Sequence, residues 1–155
     1  MSRIFAALDQ IAVAQIAVAL WAGGMWVTGY LVAPLLFHSA PDRQIAGNLA
    51  GTMFTGMAFV GLACAAFLLV HRLGTVGLKA MKQAFFWVVV LMTALVVAGQ
   101  FGIQPILAGL KAQALPREVM ESVFRDRFAT WHGVASILYV FQSLLAVFLV
   151  ISSRR

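Results

Sequence analysis

AFFWVVVLMTALVVAGQFGIQPILAGL, residues 84–110, runs for 27 positions without one Asp, Glu, Lys or Arg. An α-helix rises about 1.5 Å per residue, so ~20 apolar residues cross a hydrocarbon core ~30 Å thick. This run is long enough to cross with residues to spare. Three further stretches, 11–37, 45–70 and 131–151, are equally free of formal charge. The expected fold is an all-α integral membrane protein. It is an up-down bundle of four transmembrane helices forming a single domain over residues 1–155.

Composition supports that reading. Hydrophobic residues make up 63% of the chain and charged residues 10%, against roughly 25% charged in soluble domains. A water-soluble core of this length could not hide so much apolar surface. The net charge of +6 would suggest nucleic acid as a partner of a soluble protein. Here the bases flank the apolar runs, so charge reads as topology and the partner is the lipid bilayer. The two ends and the second connector carry six Lys/Arg (Arg3, Arg72, Lys79, Lys82, Arg154, Arg155). The first and third connectors carry five (Arg43, Lys111, Arg117, Arg125, Arg127), interleaved in the third with Glu118, Glu121 and Asp126. The second connector has no acid. Both termini are therefore expected on the cytoplasmic side.

The first run, at 27 residues, exceeds the ~7–15 of a signal-peptide core, and Pro41 opposes cleavage after Ala40. It is expected to remain as an anchor. Residues 2–10 read as a short interfacial helix with Ile4, Phe5 and Leu8 on one face. Ser39-x-x-Asp42 reads as a helix start, with Ser39 capping and Pro41 in the first turn. Pro34 should bend the end of the first span. Ala46-Gly47-x-x-Ala50-Gly51 is a small-xxx-small pattern, which permits close helix packing and, with Gly23 and Gly24, a homo-oligomer through the first two spans. After Pro116, apolar residues at 119, 120, 123, 124 and 128 have a helical period. A short amphipathic helix is expected there, running into the fourth span. The two hairpins do not align convincingly as a repeat.

No phosphate-binding glycine loop, His-Glu-x-x-His or nucleophile elbow occurs, so the leading expectation is a non-enzymatic binding or transport-associated protein of the inner membrane. Polar side chains within lipid seek partners and face the bundle interior. His132, Ser136, Tyr139 and Ser143 form one helical stripe; Thr93, Gln100 and Gln104 form another; Asn48, Thr52 and Thr55 a third. Trp26 and Tyr30 are one turn apart. With cytoplasmic termini, Tyr30, His38, Asn48, Gln100, Gln104, His132 and Ser136 gather toward the outer leaflet. Gln15, His71, Gln142 and Ser143 are the few counterparts on the other side. This predicts a polar pocket opening to the periplasmic side and closed over by the third connector. Its lining would be His132, Ser136, Gln104, Gln100, Asn48, Tyr30 and Trp26, with Arg127 drawing an anionic group to the mouth. Met25, Met53 and Met57 are soft donors suited to copper. His38 and His132 at matching depth could hold a haem iron. The single Cys64 permits no internal disulfide.

Three segments carry a resemblance: Trp21-Ala-Gly-Gly-Met-Trp26 with Tyr30-Leu-Val-Ala-Pro34-Leu-Leu-Phe37; Ala46-Gly47-x-x-Ala50-Gly51-x-x-Phe54; and Phe128-x-x-x-His132-Gly133-x-x-Ser136. In order and spacing they resemble the transmembrane protein 205-like family, small four-helix membrane proteins known in bacteria as a domain of unknown function. More distantly the bundle is similar to copper-resistance D proteins and to the four-helix, haem-associated protoporphyrinogen oxidase. The resemblance implies a four-helix bundle in a bacterial inner (cytoplasmic) membrane. The distant relatives imply metal or haem handling. A haem- or metal-dependent redox protein, and a structural subunit packed against partner helices, are the competing expectations.

Overall fold

The computed structural model describes residues 2–115 and 119–153, with side chains from residue 12 onward. No strand occurs among the described residues. Among the described residues four helices are long and apolar enough to cross a membrane: Ala12–Ser39, Arg43–Lys82, Ala84–Ala114 and Arg125–Ser152, here spans one to four. Each packs against its two neighbours in a closed ring, one on two, two on three, three on four and four on one. The backbone of residues 2–10 is the start of one continuous helix, Ser2–Trp26; the apolar face expected there lies outside the described side chains.

The core comes from one end of the ring. Val18, Trp21, Ala22 and Met25 of span one meet Cys64, Ala65 and Leu68 of span two, Val89, Met92 and Val96 of span three, and Ala146 and Leu149 of span four. These are early positions in spans one and three and late positions in two and four, as antiparallel neighbours require. Lipid tails are as apolar as leucine, so burial from water does not drive this packing; close contact does. Gly61 illustrates the requirement. A Cβ there would lie 2.6 Å from the Trp21 indole nitrogen, so the missing side chain lets the largest core group lie against span two's backbone. Outside the ring, Ile16, Leu20, Leu31, Val70 and Ile137 turn to the surface, where hydrocarbon replaces water.

Both prolines inside spans act upstream of themselves. Proline lacks an N–H, and its ring crowds the carbonyl four residues back. In span one the helix widens to a π-segment over Val27–Val32, and in span three over Ala98–Ile103. Each ends two residues before its proline. The Ala33 amide reaches back five residues to the Thr28 carbonyl, and the Gln104 amide five residues to Gly99. The distortion from Pro34 therefore falls in the middle of span one rather than only in its last turn. Single π-turns within α-helices often accompany functional sites.

The connectors correct two expectations. Span two's helix starts at Arg43 with Asp42 as its cap, accepting the Ile45 amide at 2.6 Å; Ser39 instead ends the preceding helix. A carboxylate at the cap satisfies a free amide and faces the positive end of the dipole, which a hydroxyl does less strongly. Before span four the helical piece is a single 3-10 turn, Val119–Glu121, and the α-helix begins at Arg125. Pro116 and residues 117–118, expected to start it, lie outside the described residues. The break has a local cause. The Ser122 hydroxyl donates to the Val119 carbonyl at 2.8 Å and accepts the Phe124 amide at 3.2 Å, and such side-chain bonds compete with the helix ladder.

Candidate functional site

Away from the core end, spans two and three part. The first half of span two and the second half of span three border an open groove of about 650 Å³. Gln44, Gly47, Asn48, Gly51, Thr52 and Thr55 line one wall; Gln100, Gln104, Pro105, Ala108, Lys111, Ala112 and Leu115 line the other. The lining follows from helical spacing. Positions 48, 52 and 55 share a face of span two, and 100, 104, 108 and 111 share a face of span three. Small residues at 47, 51 and 108 leave the room.

The polar groups are partly engaged. Gln100 Nε2 donates to Thr55 Oγ1 across the floor at 3.4 Å. Thr52 Oγ1 donates to the Asn48 carbonyl at 3.1 Å, within its own helix. Lys111 Nζ donates to the Gly47 carbonyl at 3.0 Å and stands 5.9 Å from the centre of the Phe128 ring. Among the described residues no acidic side chain lines the groove. The site therefore offers amide and hydroxyl groups along its length and one cation at its mouth.

Of the residues expected to form the pocket, Asn48, Gln100 and Gln104 meet in this groove. The others lie elsewhere. His132 is exposed on span four, its ring stacked on Phe128 at 5.8 Å between centres. Ser136, also exposed, donates to the His132 carbonyl at 2.8 Å. Arg127 is exposed in the first turn of span four. Trp26 packs against the core. Tyr30 donates to Ser143 Oγ at 2.9 Å, linking spans one and four. The reason is geometric: a polar stripe fixes which residues share a face, not which neighbour that face meets. The deeper members of span four's stripe, Tyr139 and Ser143, turn toward span one. There the Tyr139 hydroxyl donates to the Met25 carbonyl, over Gly29, where a Cβ would lie 2.3 Å from the ring.

The expected cover is also absent from the described part of the groove, whose lining ends at Leu115. Thr52, Thr55, Gln44 and Lys111 were not among the expected site residues. Lys111 has a readable signal: it continues the face of Gln100 and Gln104 at the first position beyond the apolar run. The candidate metal donors lie in different surroundings. His38 is exposed at the end of span one, Met25 is buried in the core, Met53 is 41% exposed, and Met57 lies against Gly24. Among the described residues no three of His, Cys, Asp or Glu gather closely enough to hold a metal ion. Of the glycines proposed for self-association, Gly47 faces Lys111 and Phe37 within the chain, whereas Gly23 and Gly51 have open space beside them.

A family model described as a domain of unknown function, DUF4149, matches residues 16–116. That range takes in spans one, two and three and both walls of the groove. No curated protein and no solved structure matches the chain.

Proposed function

The chain belongs to the DUF4149 family, a domain of unknown function, and from that premise we propose that it is a non-enzymatic binding protein of the membrane whose groove between spans two and three receives an amphiphilic small molecule. One observation carries the reading: Asn48, Thr52, Thr55, Gln100, Gln104 and Lys111 are gathered around one groove of about 650 Å³. That volume falls in the range of ~300–1,000 Å³ common for ligand sites. Polar side chains at bilayer depth are costly without partners, and these leave donors and acceptors facing the open space. Apolar groups beside them suit a tail; Lys111 suits an electron-rich or anionic head.

The surroundings complete the proposal. The charge pattern favours both ends in the cytoplasm, which turns the groove to the periplasmic side of a bacterial inner membrane. The narrower likeness to transmembrane protein 205-like and copper-resistance D proteins rests on the three sequence segments alone. The exposed pair His132 and Ser136 favours a second reading, in which a partner helix covers that face of span four.

Gly51 provides the test. It lines the groove and a Cβ there meets nothing within 4 Å, so Gly51→Phe fills the space without disturbing the helices. Protein extracted within native membrane particles should retain a molecule enriched over bulk lipid, found by mass spectrometry, and Gly51→Phe should lose it. Extracts of bulk composition from both proteins would defeat the proposal.

A further inference from the structure

The backbone aligns what the sequence does not. Both π-segments have six residues and end two positions before a proline, Val27–Val32 before Pro34 and Ala98–Ile103 before Pro105. A shift of 71 positions carries one onto the other. Spans two and four share a different landmark: Asp42-Arg43 and Asp126-Arg127, at their starts, are 84 positions apart. Under that shift the stripe Asn48, Thr52, Thr55 falls on His132, Ser136, Tyr139.

Contacts across the helices agree with both shifts. Gly29 corresponds to Gln100 and Thr55 to Tyr139. Tyr139 lies on Gly29, and Gln100 bonds Thr55 at 3.4 Å. Tyr30 corresponds to Phe101 and Phe59 to Ser143. Tyr30 bonds Ser143 at 2.9 Å, and Phe101 meets Phe59 edge-on at 6.4 Å. Val18 and Trp21 correspond to Val89 and Met92, and all four are buried in the core. The two hairpins therefore place corresponding positions in corresponding contacts. The groove between spans two and three thus has a counterpart between spans four and one.

The two differ in their occupant. Between spans four and one a phenol fills the space. The Tyr139 ring stands edge-on to Tyr30 at 6.1 Å and Phe54 at 5.3 Å, and its hydroxyl bonds the Met25 carbonyl. Between spans two and three, Thr55 and Gln100 bond each other at that depth, and the groove opens beyond them. Val96 holds the position that corresponds to Met25, Phe101 that of Tyr30, and the Thr55 and Gln100 side chains sit at the floor.

We propose that the open groove takes a hydroxyl-bearing aromatic ring on an apolar tail, of the phenol or hydroquinone class, with its ring end at the Thr55–Gln100 floor. This rests on the groove being a ligand site at all. A ring hydroxyl finds the Thr55–Gln100 pair, and the tail leaves through the open side into lipid.

The probes are decylhydroquinone and its dimethyl ether, which has the same ring and tail but no hydroxyl donor, with the full chain in lipid nanodiscs. Decylhydroquinone should bind one per chain, and the ether about tenfold more weakly, as loss of one hydrogen bond implies. Thr55→Tyr with Gln100→Gly copies the closed groove into the open one and should abolish binding. Tyr139→Thr with Gly29→Gln does the reverse and should raise the count to two per chain, which decides the matter should the first double variant not fold. Equal affinity for the ether, binding untouched by the first variant, or no binding of decylhydroquinone would each overturn the ring assignment. A resident molecule of other chemistry, lost on Gly51→Phe, would leave the ligand site standing while the ring assignment falls.

Discussion

Trp21→Ala is expected to destabilise the bundle by about 3 kcal/mol. Trp21 is 1% exposed and among the largest fully buried side chains. In water the loss would include the transfer of the indole from solvent; in a bilayer the unfolded reference is already apolar, so that contribution shrinks. What remains is the cavity. Truncation removes roughly 140 Å³, and at ~24 cal/mol per Å³ an uncollapsed void costs about 3 kcal/mol. Span two cannot close on it easily, because Gly61 already brings the backbone to the indole. Titration of the purified protein with SDS, followed by loss of tertiary contact, measures the change. A shift below ~1 kcal/mol would mean that the core end collapses around small side chains.

Gly29→Val should cost about 2–3 kcal/mol, the upper part of the range for overpacking. A Cβ at Gly29 would already lie 2.3 Å from Cε1 of Tyr139, and valine adds two methyl groups that cannot turn away. Either the ring leaves, losing its bond to Met25 and its edge contacts with Tyr30 and Phe54, or spans one and four separate. A double-mutant cycle distinguishes this from a local helix effect. In a Tyr139→Ala background Gly29→Val should cost no more than ~0.5 kcal/mol, giving a coupling above ~1.5 kcal/mol. Equal cost in both backgrounds would assign the penalty to the π-segment itself.

Hydropathy made the spans legible because lipid imposes the same apolar rule on all four runs at once. The groove was half legible. Helical spacing grouped Asn48 with Thr52 and Thr55, and Gln100 with Gln104, and the fold places those two faces together. The same reasoning joined His132 and Ser136 to them, although both are exposed on span four and the deeper part of their stripe, at Tyr139, meets span one. Rotation of a helix about its axis depends on which neighbours close on it, and Gly29 and Gly61 decide that through contacts made only in the folded bundle. The break at Ser122 was equally hidden, since a hydroxyl that bonds locally leaves the apolar period of its neighbours intact. The correspondence of the two hairpins is hidden in the sequence because its clearest landmarks are backbone events before Pro34 and Pro105, and because the second hairpin has the longer connector.

Water access to the groove bears most directly on the proposed site. In a Cys64→Ser background, which removes the one thiol of the chain, cysteine can be placed at Gln104, in the groove, and at Leu91, 42% exposed on the lipid side. A membrane-impermeant maleimide should label position 104 in intact membranes and position 91 only after denaturation. Position 104 silent until the protein is denatured, like position 91, would mean that spans two and three enclose no reachable polar site.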